Sequence, residues 1–324
     1  MNRLCVVLIS ISCLMCGGTS LAHAASAAWV QLSPAHSPSG RYWPSMAYDP
    51  VSHQTLLFGG MSSTGLTNDT WMFDGTDWTQ VQTPTAPLPR YGAAMAFDRV
   101  AQRIVLYGGV QSIHSFFSDT WLWDGATRTW TQAAPSHSPP AMVGAMAFTD
   151  PNGGHVSMFG GQDANGADYD ITYRWTGSDW RKLNLNQHPE ARAFGTLALD
   201  HGSRIVVLFG GESRLDVNNT WTWDGRAWTK QSPANQPPFT FFSAGAYDSA
   251  LKSVVLFGGM ANGFNHNITW AWDGTNWQDL APAQAPAARS KMGMAYDNSV
   301  DHPILFGGTS GIGQFFNDTW ELQP

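Results

Sequence analysis

The chain has 324 residues, a formal net charge of −7 and three cysteines (Cys5, Cys13, Cys16), all near its start. Beyond residue 16 there is no thiol, which excludes disulfides, a cysteine nucleophile and Cys-ligated metal there. An acidic chain without a basic run is likewise a poor partner for nucleic acid or anionic membranes.

Residues 1–24 read as an export signal. Arg3 supplies the positive start, "LCVVLISISCLMC" the apolar core, and "AHA" ending at Ala24 a small-residue cleavage site. That core of 13 residues is too short to span a bilayer, and no later stretch is longer. "CLMC" is a poor lipobox, because Met15 stands where a small residue belongs. The expectation is an exported protein, periplasmic or extracellular, without membrane insertion. Residues 25–324 are long enough to be held by one apolar core as a single domain and, on this reading, a monomer.

From there the sequence repeats. An apolar run ends in Gly-Gly six times, at Gly59, Gly108, Gly160, Gly210, Gly258 and Gly307, with steps of 49, 52, 50, 48 and 49 residues. A period near fifty is the mark of a propeller or solenoid. Each period predicts four short strands. Strand a is small and apolar and ends in Asp ("AAMAFD", Ala93 to Asp98), suiting the crowded innermost position. Strand b is the run before Gly-Gly, where positive φ and close backbone approach are available. Strand c alternates aromatics, as in "TWMF" (Thr70 to Phe73). Asp-Gly then turns the chain tightly into strand d, "WTQV" from Trp78. Proline-rich loops follow, discouraging edge pairing.

Five complete hairpins accompany six double glycines, because the chain stops after "NDTWELQP". The missing strand d is at the other end. "AAWVQLSP" (Ala27 to Pro34) matches "DWTQVQTP", putting Trp29 in the place of Trp78, Trp130, Trp180, Trp228 and Trp277. The last blade is thus closed by the N-terminal strand, which removes the free sheet edges. These runs resemble the kelch repeat across residues 28–324. The resemblance implies an all-β, six-bladed kelch-type propeller, like the central domain of galactose oxidase, and leaves activity open.

Whatever recurs in register is first of all scaffold. That covers fifteen of the sixteen tryptophans, the Asp closing each strand a, and the "N-x-T-W" words, read as loop capping. Arg41, Arg90, Arg192 and Arg289 also recur, with Ala141 and Thr240 in blades 3 and 5. They either tie loops to neighbouring blades or bind a carboxylate near the mouth. Off the template stands Trp43, whose equivalents are Gly92, Val143, Phe194, Phe242 and Lys291, beside Tyr42, Tyr91 and Phe241. An aromatic rim with one cation suits a sugar or peptide, or it plugs the channel.

The b–c loops should open on the same side, and "GESRLDV" after Gly210 is the most charged of them. Its Glu212 and Arg214 form a surface ion pair, or move protons during sugar ring opening. The "GE…R" wording resembles the b–c loop of bacterial sialic-acid mutarotases, with different spacing. That resemblance implies Glu212 as proton donor or acceptor, with Arg214 or Arg192 as anion clamp. The copper-radical chemistry of galactose oxidase needs a cysteine that is absent here. Histidines such as His36, His137 and His188 stand singly, without ligand spacing, and no nucleophile elbow is visible. No metal or cofactor is expected. The leading expectation is a binding module for a protein or glycan; the alternative is a cofactor-independent sugar mutarotase or epimerase.

Overall fold

The computed structural model describes residues 27–112, 114–213 and 217–323. Six antiparallel sheets, each running a-b-c-d from the centre outward, form a six-bladed propeller. Blade 2, for example, comprises Ala94–Asp98, Arg103–Tyr107, Thr120–Asp124 and Thr129–Ala133. Blade 1 adds Arg41–Tyr42 as a fifth strand beside its long strand b, Gln54–Ser62. The six a strands pack side by side around the axis. No helix of the described residues is long and apolar enough to cross a membrane.

Closure follows the expected path. The last sheet orders Gly293–Asp297, His302–Phe306, Thr319–Gln323 and then Ala28–Leu32, with Trp29 opposite Leu322 and Val30 opposite Glu321. The predicted signal at residues 1–24 lies outside the described residues.

The strand-d tryptophans weld blade to blade. All six are buried. Each indole Nε1 donates to a threonine Oγ1 on strand c of the preceding blade: Trp29 to Thr269, Trp78 to Thr319, Trp130 to Thr70, Trp180 to Thr120, Trp228 to Thr172 and Trp277 to Thr220, all at 2.8–3.0 Å. A buried indole N–H without an acceptor costs about 1–3 kcal/mol, so the pairing fixes where each ring can sit. The recurring threonine of "N-x-T-W" is therefore an inter-blade acceptor, a role that loop capping does not describe.

The double glycines have a steric cause. A Cβ on Gly160 would lie 2.3 Å from the Arg192 carbonyl oxygen, and one on Gly59 2.6 Å from that of Arg90. The second glycine's N–H donates to that same carbonyl of the next blade, as Gly60 does to Arg90 at 2.9 Å. Strand a's terminal aspartates cap the a–b turns as expected: Asp98 accepts from the Val100 and Ala101 amides, Asp200 from those of Gly202 and Ser203.

Candidate functional site at the loop-rich mouth

One residue per blade lines the mouth on the b–c and d–a side, and these six form a closed backbone ring. The N–H of Gly92 donates to Trp43 O, Gly144 to Gly92, Phe194 to Gly144, Phe242 to Phe194, Lys291 to Phe242 and Trp43 to Lys291, at 2.6–3.2 Å. All six have left-handed φ, between 52° and 68°. That conformation is free for glycine and costs a residue with a Cβ roughly 1–2 kcal/mol. Trp43, Phe194, Phe242 and Lys291 occupy it nonetheless.

The ring corrects the sequence alignment of blade 3 by one residue. Gly144, not Val143, is the equivalent of Trp43, and Met142, not Ala141, takes the arginine position, since its carbonyl accepts from Gly109 as Arg90's does from Gly60. Gly144 is required: a Cβ there would meet the Phe194 ring at 2.5 Å.

The side chains of the ring converge. Trp43 stacks on Tyr91 at 5.1 Å and on Phe194 at 4.9 Å between centroids, and meets Phe242 edge-on at 5.1 Å. Lys291 Nζ sits 4.5 Å from the Trp43 centroid and 4.8 Å from that of Phe242, a cation–π seat. Tyr42 stacks on Phe315 at 5.6 Å, extending the aromatic side through blades 6, 1 and 2. Below the ring a cavity of about 140 Å³ remains. The rings thus narrow the channel while Tyr42, Trp43 and Tyr91 stay only part-buried.

Across the mouth lies a polar wall from blades 3 and 4. Glu212 pairs through its backbone with Ala193 and is half-buried. Burial pushes its carboxyl up, the charge of Asp168 adds to this, and Lys291 opposes it. Lys291 is pushed down by burial, against the pull of Glu212. Gln162 Nε2 donates to Asp168 Oδ1 at 3.0 Å. Asp168 and Gln162 were missed in the sequence. Their signal was positional, since Gln162 follows its double glycine as Glu212 does. Arg214 lies outside the described residues.

The four arginines are placed differently. Arg41, Arg90, Arg192 and Arg289 are at most 1 % exposed, beneath the mouth. Arg41 Nη1 and Nη2 grip Asp69 at 2.5 and 2.8 Å, while Nε and Nη1 also donate to Ser39 O and Gly59 O. Arg90 holds Asp119 and Arg289 holds Asp318 in the same fork. Phe117 and Phe316 stack on those two guanidinia at 3.9 and 3.8 Å. The same aspartates accept from the indoles of Trp71, Trp121 and Trp320. In blade 4 Asn219 replaces the aspartate, and Glu190 supplies the carboxylate to Arg192 at 2.6 Å. Blades 3 and 5 lack both partners, with Met142 and Ile171 in one, Thr240 and Ile268 in the other. Trp270 Nε1 of blade 5 is accordingly left buried without an acceptor. The side chains tie each arginine chiefly within its own blade, where every guanidinium nitrogen already has a protein partner.

The arrangement defines a class: a six-bladed β-propeller whose repeated core carries an uneven aromatic and charged mouth. A family profile described as the KLHDC2/KLHL20/DRC7 Kelch-repeats domain matches residues 20–211 and 75–259, and the chain belongs to this kelch-repeat family. A solved structure titled "Structure of YjhT" is similar over 90 % of this chain and 99 % of its own, with a TM-score of 0.69 at 14 % identity, a likeness of fold. No curated protein matches.

Proposed function

We propose that the protein is an exported binding module that holds a glycan or a peptide segment at the loop-rich mouth. The observation that carries this is the side-chain content of the ring. Four bulky residues are kept in a left-handed conformation where glycine would be cheapest, and strain of this kind is retained where the side chain matters. Their aromatic faces stand beside Lys291, Glu212 and Gln162, the mixture of flat apolar surface and few polar groups that sugar and peptide ligands need. A thermal-shift screen against neutral sugars, sialic acids and peptides tests it, because a ligand that binds only the folded state raises its melting temperature. A hit should vanish in Trp43→Gly, which keeps the ring's backbone conformation. Hits that survive this substitution move the site elsewhere.

A second reading, a sugar mutarotase, is favoured by one feature. Glu212 is a part-buried carboxyl whose pKa is raised by burial and Asp168 and opposed by Lys291, which suits a proton donor or acceptor. Anomer exchange of sialic acid followed by NMR would be accelerated by the protein and not by Glu212→Gln. No acceleration by the unmodified protein ends this reading for that substrate. Export rests on residues 1–24; N-terminal sequencing of the mature protein, expected to begin at Ala25, checks it.

A further inference from the structure

The channel is wider at its other end. There the a–b turns enclose a cavity of about 700 Å³, within the range that takes drug-sized ligands. No acidic side chain lines it, in a protein of net charge −7. Its two charged lining residues are Arg99 and Arg204, from the turns of blades 2 and 4 on either side of blade 3. Arg204 donates to the Pro151 carbonyl. Both arginines are solvent-exposed at the rim. The Arg99 guanidinium has no hydrogen-bond or ion-pair partner among the described residues, and partial desolvation, then the charge of Arg204, lower its pKa. The two cations therefore feel each other without a carboxylate between them.

Tyr48, Tyr247 and Tyr296, from blades 1, 5 and 6, line the facing side. His201 joins them, its ring 5.4 Å from Tyr247 and 5.1 Å from Tyr296. Though its ring stays exposed at the rim, partial desolvation and then Arg99 push the imidazole down, against the pull of Asp200. Carboxylates stand close behind the lining: the charge of Asp200 reaches His201 and Tyr247, that of Asp248 reaches Tyr247, and those of Asp297, Asp49 and Asp301 reach Tyr48. Each is engaged elsewhere: Asp200 accepts from the Gly202 amide and Ser203 hydroxyl, Asp248 from the Leu251 amide, Asp49 from the Ser52 hydroxyl, Asp297 from the Thr55 and Ser299 hydroxyls, and Asp301 from the Tyr296 hydroxyl. Met46, Met95 and Met294 line the walls further in.

We propose that this cavity is a second site, distinct from the loop-rich mouth, for a small organic carboxylate with a flat or partly apolar body. The carboxylate lies between Arg99 and Arg204, where two guanidinia lack an acidic partner, and the body rests on the tyrosine wall. Sequence reading passed over it because the signal is spread across turns. Arg99 directly follows its strand-a Asp98, whereas Arg204 stands four residues after Asp200, so the two share no register position in the repeat.

The test is calorimetric titration of the whole protein with 4-hydroxybenzoate and D-galacturonate, against benzyl alcohol and D-galactose as uncharged controls. One acid or both should bind saturably, at least tenfold more tightly than its uncharged control; which acid wins tells an aryl from a sugar body. The double variant R99A/R204G should weaken this binding at least tenfold. Glycine keeps the left-handed backbone of residue 204, so the fold survives. Lys291→Gly, at the other mouth, should leave it unchanged. The proposal is overturned by no saturable binding of either acid, by equal binding of acids and controls, by an unaffected R99A/R204G, or by loss in Lys291→Gly instead. The last outcome would assign the acid to the loop-rich mouth and leave the binding-module reading standing.

Discussion

Two rings of six hydrogen bonds run around this propeller, and they differ in what the repeat holds fixed. In the outer belt, Trp29 through Trp277 each donate to a threonine of the neighbouring blade, and side chain and backbone are the same six times. In the inner ring only the backbone repeats: the side chains are Trp, Gly, Gly, Phe, Phe and Lys. Where burial and hydrogen bonding decide the side chain, the repeat cannot drift. Where the backbone alone closes the ring, each blade is free to present a different group to the axis, and binding specificity can be written there.

The comparison breaks most visibly in the belt. Trp29→Ala should cost about 3–5 kcal/mol, as for other buried large aromatics, and lower the denaturation midpoint as much as Trp78→Ala does. A Trp29 variant with an unchanged melting temperature would mean that the N-terminal strand does not close the ring.

Next come the arginine forks between the two rings. Arg289→Ala leaves Asp318 unpaired in a largely buried place and should cost about 3 kcal/mol by urea unfolding. Blade 5 offers the converse experiment. Ile268→Asp alone buries a carboxylate and should destabilise, whereas Ile268→Asp with Thr240→Arg should recover that loss and give Trp270 an acceptor. A double variant no more stable than the single one would deny that the fork is a transferable unit.

The same forks predict acid sensitivity. Burial alone would raise the Asp69 and Asp318 carboxyls, but the hydrogen bonds and charges of Arg41 and Arg289 outweigh it and hold both below their ordinary value. A lowered folded pKa contributes stability that is complete above the unfolded value, near about pH 4, and disappears as pH falls through the folded value. Unfolding free energy should therefore drop steeply below about pH 4, and Asp318→Asn should drop less over that window. Parallel pH profiles would reject the assignment.

The smallest effect is expected in the inner ring. Lys291→Gly removes left-handed strain and a cation–π contact together, so stability should change by no more than about 1 kcal/mol while ligand binding at that mouth falls. A loss of several kcal/mol would make the ring side chains scaffold, like the belt.

Much of this was legible in the residues themselves. The period, the four-strand blade, the turn role of Asp98 and its equivalents, and the closure through Trp29 all follow from spacing and side-chain type. The arginine forks were legible in principle, since arginine and its acid disappear together from blades 3 and 5. The one-residue slip that put Ala141 in Met142's place obscured the pairing. A loop of variable length before strand a carries no periodicity, and only the Met142 carbonyl bonded to Gly109 fixes its register.

By itself, then, the sequence determined the repeat, its number and its closing seam, because burial of alternate residues and tight Asp-Gly turns act over a few residues at a time. Tertiary structure alone decided that Trp43 and Lys291, 248 positions apart in the chain, share one ring, and that Arg99 and Arg204 line one cavity. Such groupings depend on where six blades meet at an axis, a distance in space that no local preference of the chain encodes.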